Sequence, residues 1–198
     1  MIKFNNLSQE HPYLLFKRLY IESLKAKQKN IEAICISSYS LKNKDVNARF
    51  VNLKFVNEKE FIFFSNYNSP KSEDFEFHDQ ITGLLYWNTT NTQIRMKARI
   101  KKTSLDFNQE YFAKRSKKKN ALAISSAQSN IISSYDIVKE NYEKSIKEDD
   151  LLKCPDYWGG FSFTPYYFEF WNGHETRLNR REVYSLNSSE WVKSYLQP

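Results

Sequence analysis

In the stretch TQIRMKARIKK, residues 92–102, polar and apolar side chains alternate strictly from Gln93 to Lys101. In an extended chain this alternation places all the apolar members on one face: Ile94, Met96, Ala98 and Ile100. The other face is polar and basic. A period of two predicts a β-strand with one buried face, and the preceding ITGLLYW (81–87) is a plausible antiparallel partner for it.

Similar short segments, rich in β-branched and aromatic residues, occur on both sides of this strand pair. They are IEAICIS (31–37), VNARFVNLKFV (46–56), EFIFFSN (60–66), WGGFSFTPYYFEFWNG (158–173), REVYSL (181–186) and EWVKSYL (190–196). The polar stretches LKNKD and NEK separate the early ones. This pattern predicts further antiparallel strands.

Helical patterns fill the intervals between the strands. Residues 11–30 repeat apolar groups every three to four positions behind Pro12. Ser69 and Pro70 predict the start of a short helix, and Ser104 predicts the cap of a segment that is helical in two parts. A further helix is expected over SSYDIVKENYEKSIKED (133–149).

The order of elements predicts an α+β fold with an antiparallel barrel or sandwich, in one domain over residues 1–198. Residues 1–11 carry no strong pattern, so whether they are ordered or flexible stays open. The 198-residue length suits one well-buried core, and an aromatic content of 16% can fill it.

Charge and composition restrict the possible functions. The net charge of +7 favours anionic partners, either nucleic acid or phosphate-bearing small molecules. Two cysteines provide no disulfide framework, and Cys35 is expected to be a small core residue. No signal peptide and no run of 18 apolar residues is present, so a cytoplasmic protein without a membrane span is expected.

Common catalytic and binding motifs are absent from the sequence. The three histidines are far apart, so no metal site is expected. Neither GxGxxG nor GxxxxGK[ST] occurs, and there is no GxSxG nucleophile elbow. The pair Gly159–Gly160 indicates a sharp strand bend or a close approach to the backbone.

Basic residues within apolar surroundings are the main functional signal. Arg49 and Lys54 lie in a core-like strand, where each must reach water at a sheet edge or meet an anion. Their odd separation places them on opposite faces, so one ligand meets both only across a bulge or from a strand end. KRSKKK (114–119) is compatible with a solvated helix end, a nucleic-acid patch, or a phosphate grip by Tyr111 and Arg115 from one helix face.

The segment WNGHETRLNRREVY (171–184) adds three arginines close together. A solvated turn, a nucleic-acid contact and a cradle for a small anion are all compatible with it. Together with ARFVNLK, FFSNYNSPKS, TQIRMKARIKK, EYFAKRS, SSAQSNII and PDYWGGFSFTP, in this order, it resembles the successive blocks of the pyridoxamine 5'-phosphate oxidase family.

The resemblance implies a split β-barrel that binds FMN between the two subunits of a homodimer. It implies oxidation of pyridoxamine or pyridoxine 5'-phosphate to pyridoxal 5'-phosphate, with O2 as acceptor and H2O2 as product. By position in the motifs, it assigns the cofactor to Arg49, Phe50, Val51, Lys54, Phe64, Ser65, Lys71, Gln93, Gln128, Ser129, Trp171 and Arg181. It assigns the substrate to Lys54, Tyr111, Arg115, Lys119, Arg177 and Asn179.

Among these residues the resemblance gives catalytic roles to Lys54, Tyr111 and Arg177, and leaves Arg180 solvated. Three positions depart from the family pattern: Asn179 replaces a histidine, Pro70 replaces a basic residue, and Lys119 stands where a serine is usual. An FMN oxidoreductase of the same fold acting on another ring substrate, such as the phenazine-pathway oxidases, is therefore the alternative. A basic nucleic-acid-binding module is a more distant one.

Overall fold

A single sheet of ten strands organises the chain in the computed structural model, which describes residues 1–198. The strands are β1 (Lys3–Asn5), β2 (Ala33–Ser40), β3 (Asp45–Asn52), β4 (Phe55–Asn57), β5 (Glu60–Asn66), β6 (Gln80–Trp87), β7 (Thr92–Lys102), β8 (Trp158–Asn172), β9 (Arg180–Asn187) and β10 (Glu190–Leu196). The helices are α1 (His11–Lys25), α2 (Pro70–Phe77), α3 (Leu105–Lys114), α4 (Lys117–Ser125) and α5 (Tyr135–Glu148). The predicted α+β class is confirmed.

The strands follow the order β1-β4-β5-β8-β7-β6-β2-β3, and the sheet does not close on itself. β9 pairs with the second half of β8, and β10 pairs with β9. Every pairing is antiparallel, as predicted, except that of β1, which runs parallel to β4. The 15-residue strand β8 pairs with β5 along its first part and with β9 along its second part, both on the edge opposite β7.

The core lies on the face of the sheet that the alternation in β7 predicts. Ile94, Met96 and Ala98 are fully buried there. Aromatic rings fill most of the remaining space: Tyr13 of α1 packs edge-on against Phe168 at 5.2 Å between ring centroids. Such pairs add to the burial free energy of large rings, so α1 is fixed against the sheet.

Two local predictions are wrong. Cys35 is only partly buried, because β2 alternates and gives its inward positions to Ile34 and Ile36. Arg115 does not belong to the helix of Tyr111, since α3 ends at Lys114 and Arg115 has an extended backbone conformation as its C-cap. No helix of the chain has the length and apolar character needed to cross a bilayer.

Candidate active site

A cleft of about 770 Å³ opens beside the end of β3, bordered by β5, α2 and the α3–α4 segment. None of its 20 lining residues is acidic. Seven are cationic: Lys3, Arg49, Lys54, Lys71, Lys114, Arg115 and Lys119. An excess of positive charge without lining carboxylates indicates a site for anions.

Arg49 and Lys71 form the first cation group, which we call the inner pair. Arg49 donates from Nη1 to Ser38 Oγ at 2.7 Å and to the carbonyl of Ile36 at 3.2 Å, while its Nη2 lies 3.6 Å from Asp74. Burial lowers the pKa of Arg49, and the Asp74 carboxylate opposes that change. These contacts fix the guanidinium at the cleft wall.

Lys71 is a buried cation with no carboxylate partner. Its side chain is in the first turn of α2, the residue is 7% exposed, and Nζ donates to Ser65 Oγ at 3.0 Å and Ser69 Oγ at 2.8 Å. Burial lowers the pKa of Lys71 to about 8, and the charge of Arg49 adds to the effect. An ammonium has three hydrogens, so one donor position remains for an anion.

Lys54, Arg115 and Lys119 form the second cation group, the outer group. Burial lowers the pKa of Lys54, Glu32 at 3.9 Å opposes this, and the charges of Lys119 and Arg115 lower that pKa further. The Arg115 guanidinium carbon lies 4.3 Å from the Trp158 ring centroid. Burial lowers the pKa of Arg115, and its Nη1 is buried without any hydrogen-bond partner. The lowered pKa and the unpartnered Nη1 of Arg115 both indicate a positive charge that a bound anion would neutralise.

Arg49 and Lys54 reach one cleft because a strand ends between them, one of the two arrangements that the sequence allows. β3 ends at Asn52, so Lys54 leaves the regular alternation and lines the same space as Arg49. The KRSKKK segment divides in a similar way. Lys114, Arg115 and Lys119 line the cleft, whereas Lys117 and Lys118 do not.

Aromatic rings form a further wall of the cleft. Phe64 stacks on Tyr111 with 3.9 Å between ring centroids and an interplanar angle of 20°. It also lies nearly parallel to Trp158 at 5.2 Å. Burial raises the pKa of Tyr111, so the phenol stays protonated and can donate a hydrogen bond. Flat apolar surfaces beside cations suit a planar anionic ligand.

The loop after α4 completes the inner side. Gln128 Oε1 accepts from Ser65 Oγ and from the Asn66 backbone N–H, both at 3.3 Å. Ser129 has a left-handed backbone with φ of 71°. Both Gln128 and Ser129 line the cleft, as do Phe50 and Val51 of β3.

The remaining predicted residues form a second group outside this cleft. Gln93, Trp171 and Arg181 are paired in one row across β7, β8 and β9. Trp171 lies near the end of β8 opposite Trp158. Arg181 donates from Nε to Glu169 Oε1 at 2.8 Å, a carboxylate that Arg95 also contacts. Within one chain, the site residues are therefore divided between two places.

The turn before β9 carries Arg177 and Asn179. Arg177 is exposed, with a left-handed φ of 63°. Asn179 Oδ1 accepts from the His174 backbone N–H at 3.0 Å, which closes the turn. Arg180 is exposed and pairs with Glu182 at 2.5 Å.

Several residues of the site were not predicted from the sequence. Lys3, Lys114 and Trp158 line the cleft, and Ser38 and Asp74 hold Arg49 from behind. The WGG motif was a signal for Trp158, because a ring beside two glycines marks a close approach. The roles of Ser38 and Asp74 depend on pairing between distant segments, which the sequence does not show.

Comparison with known proteins identifies the family. A family model described as the pyridoxine 5'-phosphate oxidase C-terminal dimerisation region matches residues 158–198. A pyridoxine/pyridoxamine 5'-phosphate oxidase of Burkholderia cenocepacia is 34% identical over 94% of this chain and 89% of its own length. The chain belongs to the pyridoxine/pyridoxamine 5'-phosphate oxidase family. A relative named pyridoxine/pyridoxamine 5'-phosphate oxidase 2, of Hydrogenovibrio crunogenus, is 30% identical over 98% of this chain and 91% of its own length.

Solved structures confirm the split-barrel fold of this oxidase-family chain. PhzG from Burkholderia lata, solved with tetrahydrophenazine-1-carboxylic acid, has a TM-score of 0.90 at 22% identity and covers 96% of this chain and 93% of its own. A pyridoxamine 5'-phosphate oxidase-related, FMN-binding protein of Nostoc punctiforme has a TM-score of 0.78 at 13% identity, with coverages of 95% and 98%.

The family is one of FMN-type oxidoreductases, and the cleft fits FMN. Lys71 is a buried cation with a free donor position, and the Arg49 guanidinium lines the same cleft, so two cations are available to a phosphate. The parallel rings of Phe64 and Tyr111 provide flat apolar surface in the same cleft. The residues present therefore match a planar molecule that carries a phosphate.

Proposed function

We propose that this chain is an FMN-dependent oxidase that converts pyridoxamine and pyridoxine 5'-phosphate to pyridoxal 5'-phosphate, with O2 as acceptor and H2O2 as product. One observation carries the proposal: a single cleft without acidic lining residues contains two separate cation groups and an aromatic wall. Two phosphates, one of the cofactor and one of the substrate, account for both cation groups.

The inner pair holds the FMN phosphate. Lys71 and Arg49 supply the charge, and Ser65, whose hydroxyl donates to Gln128 and accepts from Lys71, keeps the ammonium in place. Ser129 and the β3 residues Phe50 and Val51 border the same part of the cleft. FMN held there would supply the two-electron redox chemistry between substrate and O2.

The outer group holds the substrate phosphate. Arg115 offers its unpartnered Nη1, Lys54 and Lys119 add charge, and the protonated Tyr111 donates from its hydroxyl. The ring stack of Phe64 and Tyr111 excludes water from one side of the substrate. Lys54 lies within the outer group and follows β3 directly, so its charge also stabilises negative charge that develops during the reaction.

A second copy of the chain completes the site. Gln93, Trp171 and Arg181 share one row of the sheet, and Arg177 and Asn179 lie in the adjacent turn. These residues do not line the cleft of their own chain, and the dimerisation-region model covers β8 to β10. A homodimer that brings this row to the partner's cleft accounts for both facts. Arg177 then contacts the substrate and Arg181 the flavin.

Spectra and turnover test this function. The purified protein should be yellow, with flavin absorption bands, and should release H2O2 when pyridoxamine 5'-phosphate is added in air. A colourless protein that cannot be reconstituted with FMN would contradict the cofactor assignment. A flavoprotein without turnover above background would contradict only the substrate assignment.

Asn179 favours a second candidate, an FMN oxidoreductase acting on a different ring substrate. Its carboxamide accepts from the His174 backbone and cannot become cationic, unlike a histidine at this position. The variant Asn179→His tests this candidate. We expect it to leave turnover of pyridoxamine 5'-phosphate unchanged or lower if that compound is the natural substrate. A several-fold gain in kcat/KM would favour the second candidate.

A further inference from the structure

A buried polar cluster behind the aromatic wall joins α3 to the start of β8. Asn108 of α3 is 2% exposed. Its Oδ1 accepts from the Gly160 backbone N–H at 2.8 Å and from Thr103 Oγ1 at 2.6 Å. Its Nδ2 donates to the Tyr67 hydroxyl at 3.0 Å, and that hydroxyl donates to the Gly160 carbonyl at 2.9 Å. One carboxamide thus connects a helix, a strand and two loops.

The two glycines show how closely β8 approaches this cluster. A Cβ at Gly159 would lie 2.2 Å from Tyr67 Oη and 2.4 Å from Asn108 Nδ2. A Cβ at Gly160 would lie 2.5 Å from Thr103 Oγ1. Neither glycine has a positive φ, so space rather than backbone conformation requires them. The glycine pair thus lets side chains pack closely against the backbone of β8.

Helix α3 also positions two residues of the proposed substrate site, one within it and one directly after its last residue. Tyr111 lies one turn after Asn108, and Arg115 follows as the cap of α3. Residues three apart on a helix share a face, so a rotation or shift of α3 moves both site residues. Tyr111 stacks on Phe64, and Arg115 lies over Trp158, which adjoins the glycine pair.

We propose that Asn108 is a positioning residue of the substrate-phosphate site, acting through α3 without contacting the substrate. By fixing α3 against the start of β8, Asn108 sets where the Tyr111 hydroxyl and the Arg115 guanidinium stand in the cleft. The proposal rests on the proposed function. An asparagine suits the position because it accepts from two donors and donates to a phenol, whereas aspartate cannot donate.

The experiment compares FMN-loaded wild type with Asn108→Ala, using inorganic phosphate as the probe. FMN occupies the inner pair, so inorganic phosphate reports on the outer group. We expect the phosphate Kd of Asn108→Ala, and its KM for pyridoxamine 5'-phosphate, to rise about tenfold, as small misplacements of positioning groups do. The FMN Kd should change less than about twofold, because Asn108 makes no contact with the inner pair.

Control variants separate positioning from general loss of stability. Ser145→Ala removes another buried polar group, one that bonds the Ala121 carbonyl; neither residue lines the cleft, so phosphate binding should stay unchanged. Tyr67→Phe removes the two hydrogen bonds of the Tyr67 hydroxyl but keeps the two that Asn108 Oδ1 accepts, so it should raise the phosphate Kd less than Asn108→Ala does. It keeps the test valid if Asn108→Ala does not fold.

Three results would overturn the proposal. They are a phosphate Kd unchanged in both cluster variants, an equal loss of FMN and phosphate binding, and absence of phosphate binding in the FMN-loaded wild type. Failure of the proposed function has a different signature. In that case pyridoxamine 5'-phosphate is not oxidised, but inorganic phosphate still binds, and Asn108→Ala and Tyr67→Phe still weaken phosphate binding.

Discussion

A single lysine, Lys71, determines how cofactor binding should respond to pH. Burial lowers its pKa to about 8, whereas the unfolded chain has a lysine of ordinary pKa. Between these values the unfolded state binds the additional proton, so the stability of the cofactor-free protein rises with pH from about 8 to the ordinary lysine range. Below about 8, Lys71 is charged in both states and contributes no such dependence.

Cofactor binding should show the opposite trend, because the phosphate requires the charged form of Lys71. We expect FMN affinity to fall above pH 8, by up to about tenfold per pH unit. A fluorescence titration of FMN between pH 6.5 and 9.5 measures this fall. Lys71→Arg stays charged throughout and Lys71→Met is never charged, so both should remove the dependence. If FMN affinity falls with pH equally steeply in Lys71→Met, the pH dependence comes from another group.

At the scale of secondary-structure elements, the sequence predicted most of the fold. Strand β7 lies where the alternation predicts it, and α2 and α3 begin directly after Ser69 and Ser104. These signals are local, so the sequence alone shows them. β1 was missed because three residues show no periodicity, and its parallel partner β4 is far along the chain. Arg115 was assigned to a helix that ends one residue earlier, since no proline or glycine marks the end.

The start of β8 gives a prediction at the same scale. Gly159→Ala should lower the free energy of unfolding by about 1–3 kcal/mol, because the new methyl meets Tyr67 and Asn108, both fixed by hydrogen bonds. Gly83→Ala is the matched control: its methyl would meet the Cδ1 end of Ile34 at 2.9 Å, which can move. Urea denaturation of both variants measures the difference. Equal losses of unfolding free energy in the two variants would mean that the start of β8 can shift to accommodate the methyl group.

At the scale of the whole molecule, residue patterns alone, without the family resemblance, could not predict that the cations would come together. Arg49, Lys71 and Arg115 belong to three elements, and they meet only because β3, α2 and the end of α3 border one cleft. Order of motifs supplied the residue assignments, but geometry divides them into a cleft set and the Gln93–Trp171–Arg181 row. That division makes the dimer a functional requirement of the proposal.

A subunit-mixing experiment tests this requirement. Arg115→Ala damages the cleft and Arg177→Ala damages the turn before β9, so each homodimer should be nearly inactive. In a mixed dimer, one site combines an intact cleft with an intact Arg177 from the partner. Random reassortment at equal amounts makes half of the dimers mixed, each with one native site, so about a quarter of the wild-type activity should return.

The control mixture pairs Arg115→Ala with Lys54→Ala, two changes within the same cleft. Each site of that mixed dimer keeps one damaged cleft, so no activity should return. Recovery in the first mixture and not in the second is the result expected if Arg177 acts across the subunit boundary. If neither mixture recovers activity although the mixed dimers form, Arg177 does not act in the partner subunit's cleft. The turn before β9 is then not part of that site.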